Sequence, residues 1–163
     1  MKPLVAAGVF AAACSLAAPA LAAGPLHPGD TAPQFTLARD NGGKLSLSSL
    51  KGKPVYLNFF ASWCAPCNDE APSVVSLEGR YRPKGLVVVG VDEQESAGRA
   101  KGFASKYKMP YAIVLDDGPM GKDYGALALP VHVFIDRSGK ISTYRLGEMS
   151  PEEIEDAIKK IVG

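Results

Sequence analysis

An apolar run, Val55-Tyr56-Leu57-Asn58-Phe59-Phe60, stops at Ala61-Ser62-Trp63 and gives way at once to Cys64-Ala65-Pro66-Cys67, at the head of a helix-length segment over residues 65–81. No other feature restricts the fold as much. A continuous run of this length reads as a strand buried on both faces, and such a strand needs sheet neighbours as well as cover above and below. A second run, Leu86-Val87-Val88-Val89-Gly90-Val91, follows the helical segment, so strand, helix and strand form a crossover unit. The paired cysteines then fall at the carboxyl end of the first strand, the edge at which open sheets carry their chemistry.

The rest of the chain supplies the neighbours and the cover. Gln34-Phe35-Thr36-Leu37 and Lys44-Leu45-Ser46-Leu47 alternate around Asp40-Asn41-Gly42-Gly43 and predict a hairpin. Ala100, Phe103, Ala104 and Tyr107 share one helical face behind a Ser96 cap, and residues 111–115 read as a strand. Residues 131–135 and 141–146 flank Asp136-Arg137-Ser138-Gly139-Lys140 as a second hairpin. The last helix is the best marked: Ser150 caps it, Pro151 opens it, Glu153 completes a capping box, Ile154, Ala157, Ile158 and Ile161 form the apolar stripe, and Lys159 and Lys160 suit its carboxyl end. The expected fold is α/β, a mixed central sheet flanked by helices on both faces, with an N-terminal β-hairpin extension and one domain over residues 34–163. Residues 24–33, with three prolines and two glycines, read as a linker.

Residues 1–23 read as a signal peptide: Met1-Lys2, an uncharged Ala-rich stretch, then small residues that suit cleavage after Ala22 or Ala23. Retention as an uncleaved membrane anchor, or lipid attachment at Cys14, are the alternatives. Removing the leader leaves 17 basic against 17 acidic side chains. A neutral surface offers no footprint for nucleic acid and no basic run for anionic lipid. Of three cysteines only Cys64 and Cys67 then remain. Export leads to an oxidising compartment where structural disulfides close long loops, and a pair three positions apart closes almost none, so reactivity explains it better.

At a helix start Cys64 sits beside unpaired backbone N–H groups and the positive end of the dipole, which favour its thiolate, whereas Cys67 lies about one turn inward and more shielded. Cys64 is the expected attacking sulfur and Cys67 the resolving one. Pro66 fixes the backbone where its missing N–H costs nothing, and Trp63 supplies an apolar wall. A zinc site needs two more ligands, and the mature chain offers only His27, in the linker, and His132, read as an ordinary strand residue.

Phe59-Phe60-Ala61-Ser62-Trp63-Cys64-Ala65-Pro66-Cys67, with Glu70, Pro72, Leu129-Pro130, Val133-Phe134-Ile135-Asp136 and Gly139, resembles the TlpA/ResA branch of the thioredoxin-like family over most of residues 31–163. The resemblance implies a periplasmic thiol–disulfide oxidoreductase that needs no cofactor besides its Cys64–Cys67 disulfide. It implies protein disulfides as substrates and recharging by a membrane thiol donor of the DsbD or CcdA type. It also implies that Pro130 is a cis-proline packed against the cysteines, that Trp63, Leu129 and Pro130 meet the substrate, and that Glu70 is an acid near Cys67 able to pass its proton. Read by spacing alone, Glu70 is equally a solvated helix acid beside Asp69. Asn58 stands where many cytoplasmic thioredoxins have a buried aspartate. Two departures mark the chain: Leu129 and Val131 flank Pro130 with apolar side chains, and Leu129-Pro130-Val131-His132 does not match the Gly-Val-Pro-Glu of the cytochrome-maturation subgroup. Ala65-Pro66 brings no cation to the pair, which predicts a reductant or intermediate exchanger over a strong oxidant. A copper(I) chaperone using the same two thiolates is the rival from another class. A peroxidase uses a different, Thr-containing approach to its cysteine.

Overall fold

The computed structural model describes residues 26–163, so the predicted leader and Cys14 lie outside the described residues. In chain order the elements are β1 (Thr36–Ala38), β2 (Lys44–Ser46), β3 (Val55–Phe60), α1 (Ala65–Tyr81), β4 (Val87–Glu93), α2 (Ala97–Tyr107), β5 (Ala112–Asp116), α3 (Pro119–Asp123), β6 (Val131–Ile135), β7 (Ile141–Leu146) and α4 (Pro151–Val162). β1 and β2 form a separate antiparallel hairpin, and the other five strands make one mixed sheet in the order β5-β4-β3-β6-β7. β3 runs parallel to β4 and antiparallel to β6, so its backbone is paired along both edges. This is the predicted α/β architecture.

The two faces of β3 divide the core. Val55, Leu57 and Phe59 join Val89, Val91, Val114 and Val133 under Phe35, Leu47, Leu50, Met120 and Tyr124, which come from the hairpin region and α3. On the opposite face Tyr56 meets Val74 and Leu77 of α1 and Ile154 and Ile158 of α4, while Phe60 meets Ala100 and Phe103 of α2. The three long helices therefore share one face, and the predicted helical cover on the other reduces to the short α3. That helix has too few residues to show a period in the sequence. The capping box of α4 forms as predicted: Glu153 N donates to Ser150 Oγ at 3.2 Å and Ser150 N donates to Glu153 Oε2 at 2.8 Å.

Part of the predicted linker belongs to the domain. Gly29 N donates to Ile141 O at 2.8 Å, Ile141 N donates to Asp30 O at 2.9 Å, and Ala32 N donates to Gly139 O at 3.1 Å. Ala32 is buried. The Pro and Gly content that suggests a linker fits equally well a segment lying along a sheet edge, where proline's missing donor is harmless. β4 also runs two residues beyond its apolar run, so that Asp92 and Glu93 lie buried inside the ladder.

Gly90, paired with Asn58 on β3 and Ile113 on β5, leaves no room for a side chain: a Cβ there would lie 2.5 Å from Ile113 Cδ1 and 3.0 Å from Phe60 Cε1. Gly90→Ala is expected to lower stability by about 1–3 kcal/mol, seen as a lower denaturation midpoint at unchanged slope.

Candidate active site

β3 ends at Phe60 and the chain turns sharply, with Cys64 N donating to Ala61 O at 3.1 Å. Cys64 is the N-cap of α1, in an extended conformation, and its sulfur accepts from Cys67 N at 3.2 Å. The two sulfurs are joined in a disulfide, with the Cα atoms 5.3 Å apart. The expected contrast between an open Cys64 and a shielded Cys67 is absent in this bonded form, since each residue is 4% exposed. What does stand open is Trp63, at 68%.

Two side chains that sequence reasoning missed hold this turn in place. Asn68 Nδ2 donates to Ser62 O at 3.1 Å and to Cys64 O at 2.8 Å, while its Oδ1 accepts from Lys106 Nζ at 2.8 Å and Tyr107 OH at 2.7 Å. The amide thus ties the motif loop to α2. From the other side, Glu95 accepts from Ser62 N at 2.5 Å and from Ser62 Oγ at 2.7 Å, and lies 3.6 Å from Arg99. The cue for Glu95 was the acidic run Asp92-Glu93-Gln94-Glu95, which closes β4 at the same sheet edge as the motif. For Asn68 the cue was an amide one residue after Cys67, in the first turn of a helix where carbonyls of the preceding loop need donors.

The predicted residues fall as follows. Pro66 opens α1, and the Leu129–Pro130 peptide is cis. Pro130 is buried and directly precedes β6, whose Val131 pairs with Phe59 near the end of β3. Leu129 packs against the cluster that contains Cys64 and Cys67. Glu70 is no solvated acid: it is 9% exposed, and its Oε1 accepts from Met149 N at 2.6 Å. His132, read in the sequence as an ordinary strand residue, is fully buried on β6 with Nε2 3.3 Å from Glu70 Oε2 and Nδ1 2.7 Å from Tyr56 OH. Burial, then the Glu70 charge, hold the Tyr56 hydroxyl well above its ordinary value. His27 is exposed beside Asp30, so the two histidines serve different surroundings.

More acid is buried at this edge of the sheet. Burial, reinforced by the neighbouring Glu95, pushes the Asp92 carboxyl up to about 7, and neither Asp92 oxygen has a hydrogen-bond partner among the described residues. Burial, reinforced by Asp116, pushes Glu93 up to about 8. Asp116 accepts from Met120 N at 3.1 Å and Gly121 N at 2.7 Å at the start of α3.

The fold and the paired cysteines agree with what the chain is similar to. Residues 28–144 match the AhpC/TSA family, and the chain belongs to that family. It is 35% identical over 134 residues to the thiol-disulfide oxidoreductase ResA of Bacillus thuringiensis, covering 82% of this chain and 78% of that one. Among solved structures, a thiol:disulfide interchange protein DsbE from Chlorobium tepidum superimposes with a TM-score of 0.79 at 33% identity, covering 85% of this chain and 99% of that one. A secreted disulfide oxidoreductase of Mycobacterium tuberculosis, homologous to the Escherichia coli DsbE, does so at 0.72 and 30% identity, covering 78% and 96%. The chain is a thiol–disulfide oxidoreductase of the ResA/DsbE type, acting on proteins.

The buried acids have a consequence for stability. The folded state keeps a proton on Asp92 up to about pH 7 and on Glu93 up to about pH 8, whereas the unfolded chain releases both near 3.8 and 4.5. Within those windows the folded state binds more protons, so stability falls as pH rises and levels off above about pH 8. Asp92→Asn and Glu93→Gln are each expected to gain roughly 1–3 kcal/mol over the parent at pH 8.5 and to converge with it at pH 4. Denaturant melts at the two pH values check this, and an equal gap at both would contradict it.

Proposed function

We propose that the protein reduces disulfides of exported proteins, with Cys64 attacking and Cys67 resolving. The carrying observation is that Cys64 caps α1, with the Cys67 amide donating to its sulfur, while Glu70 is buried in the next turn of the same helix. In the reduced enzyme the Cys64 thiolate attacks a substrate sulfur, displacing the substrate's second sulfur as a thiolate and leaving a mixed disulfide. Cys67 then gives its proton to Glu70 and attacks Cys64 sulfur, which forms the internal disulfide and frees the substrate's first sulfur. Two electrons pass to the substrate, and the only redox group required is the Cys64–Cys67 pair.

Direction follows from charge. Glu95 accepts from Ser62 in the motif loop, Glu70 is buried in the next turn of α1, and Ala65-Pro66 brings no cation. Negative surroundings disfavour a thiolate and hence the reduced form, which makes the couple a better electron donor. Trp63, Leu129 and Pro130 form the substrate side: the exposed indole and the backbone ahead of β6 suit an extended segment carrying the target disulfide. The leader-like residues 1–23 support export to the periplasm, cleaved or retained as an anchor, and a membrane thiol donor of the DsbD or CcdA type would restore the dithiol. Among the described residues no helix is long and apolar enough to cross a membrane.

Two experiments test the reading. Cys67→Ser is expected to accumulate mixed disulfides with exported proteins, and Cys64→Ser to capture less than about a tenth as much; equal capture would reverse the roles. Equilibration with glutathione is expected to give a potential nearer the roughly −270 mV of a reducing thioredoxin than the roughly −120 mV of a strong oxidant. A value near the latter would overturn the direction.

A further inference from the structure

The mechanism above uses Glu70 but leaves its neighbour unexplained. His132 is completely buried as the second residue of β6, opposite Asn58 on β3 and Arg145 on β7. An imidazole there has a cost unless both ring nitrogens find partners. Nδ1 faces two donors: Tyr56 OH at 2.7 Å and Asn58 Nδ2 at 3.5 Å. Tyr56 keeps its proton, because burial and then Glu70 hold its hydroxyl well above the ordinary value. With donors converging on Nδ1, that nitrogen accepts, and in the neutral ring the proton sits on Nε2. Nε2 lies 3.3 Å from Glu70 Oε2.

Met149 N donates to Oε1, whereas Oε2 has the 3.3 Å contact with His132 Nε2, and among the described residues neither of those two atoms, Oε2 or Nε2, has a hydrogen-bond partner. A carboxylate has only acceptors to offer, so one N–H bond and the positive end of a second N–H dipole close by both suit it. The remaining open side of Glu70 lines a groove of about 390 Å³ together with Pro66, Asp69, Met149 and Glu153. Glu70 therefore stands between Cys67, one helical turn back, and a route to solvent, and His132 closes the inner end of that line. The other groups facing the pair are Tyr56 on β3, Asp69 on α1, Arg145 on β7, Glu148 in the loop before α4 and Glu153 on α4, with Arg145 itself 3.5 Å from Glu153. Tyr111, at the start of β5, lies near Tyr56.

We propose that His132 is a positioning residue for the resolving step: its Nε2–H, 3.3 Å from a Glu70 Oε2 that has no hydrogen-bond partner among the described residues, favours the carboxylate that accepts the Cys67 proton, and Tyr56 fixes the tautomer that makes this possible. This rests on the reading of Glu70 as proton acceptor. The Cys67 proton passes to Glu70 and then to water in the groove, while the Cys67 sulfur displaces the bound thiol from Cys64. His132 gives up no proton in the cycle. Without the Nε2–H dipole, Oε2 loses its 3.3 Å polar contact and the buried negative charge needed to accept the proton becomes costlier.

The test is the reaction of the reduced full-length protein with 5,5′-dithiobis(2-nitrobenzoate), followed by stopped flow across pH 5 to 9. Attack by Cys64 releases one coloured thiolate, and resolution by Cys67 releases the second from the mixed disulfide. His132→Leu is expected to slow the second phase about tenfold at neutral pH and to move its pH midpoint upward, with the first phase serving as the internal reference. His132→Gln, which can accept from Tyr56 and donate to Glu70, is expected to recover most of the rate, and Tyr56→Phe to show a smaller shift of the same sign. Glu70→Gln is expected to slow the second phase at least as much. If Glu70→Gln slows it and both His132 variants keep the parent's midpoint, His132 has no such role. If Glu70→Gln itself leaves the second phase unchanged, the Glu70 reading fails and takes this proposal with it.

Discussion

Everything at the site depends on where β3 stops. Its backbone is paired on one edge with β4 and on the other with β6, and all six of its residues are buried. Removing an aliphatic or aromatic side chain of this kind from water contributes roughly 1.5–3 kcal/mol, so the register is held hard. The strand cannot slip by one residue without exchanging Val55, Leu57 and Phe59 with Tyr56, Asn58 and Phe60, which face different layers. A rigid strand that ends at Phe60 and a helix that begins at Ala65 leave Cys64 a single place, at the cap. The chemistry of the sulfur is therefore set by the packing of the strand behind it.

The same edge concentrates buried carboxylates, and they do different jobs. Glu95 satisfies backbone and hydroxyl donors of the motif loop, Asp116 satisfies the first amides of α3, and Glu70 satisfies the amide of Met149. Each of these oxygens replaces water for a group that the turn would otherwise bury without a partner. Asp92 and Glu93 lack such donors and retain protons instead. Acids that bind backbone N–H groups fix the geometry of the loop, whereas acids without donors weaken the domain as they ionise.

Much of this was legible in the sequence, and the limits are physical. β3, β4, α1 and α4 could be read because each carries a period or a cap that no tertiary contact needs to complete: α4, for example, shows Ser150, Pro151, Glu153 and the stripe Ile154, Ala157, Ile158, Ile161 within one segment. Cys64, Cys67 and Pro66 were legible for the same reason. What could not be read were residues whose meaning lies across the sheet. His132 looks like any strand residue until β6 is laid beside β3 and Tyr56 and Glu70 close on it. Asp92 and Glu93 look like a polar strand end until the ladder to β5 buries them. Asn68 and Glu95 act on backbone atoms of the motif loop, six and thirty-three residues from Ser62, so the sequence shows polar residues there but not which atoms they meet.

The burial of both cysteines in the disulfide form also constrains how a partner sulfur can reach them. At 4% exposure each cysteine is out of reach of a disulfide fixed in the interior of another folded protein. A partner has to bring its sulfur down to the cap of α1 on a segment that stands clear of its own surface. The surroundings of the cap fit such a segment: Trp63 is open on one side, and the chain ahead of β6, with Leu127 89% exposed and Leu129 half-buried, lies near the end of β3 on the other. Apolar contacts of this size bring partners together without demanding a particular sequence, since the hydrophobic effect is non-directional. Selection would then come mainly from whether a disulfide is exposed and extended, and less from the side chains around it.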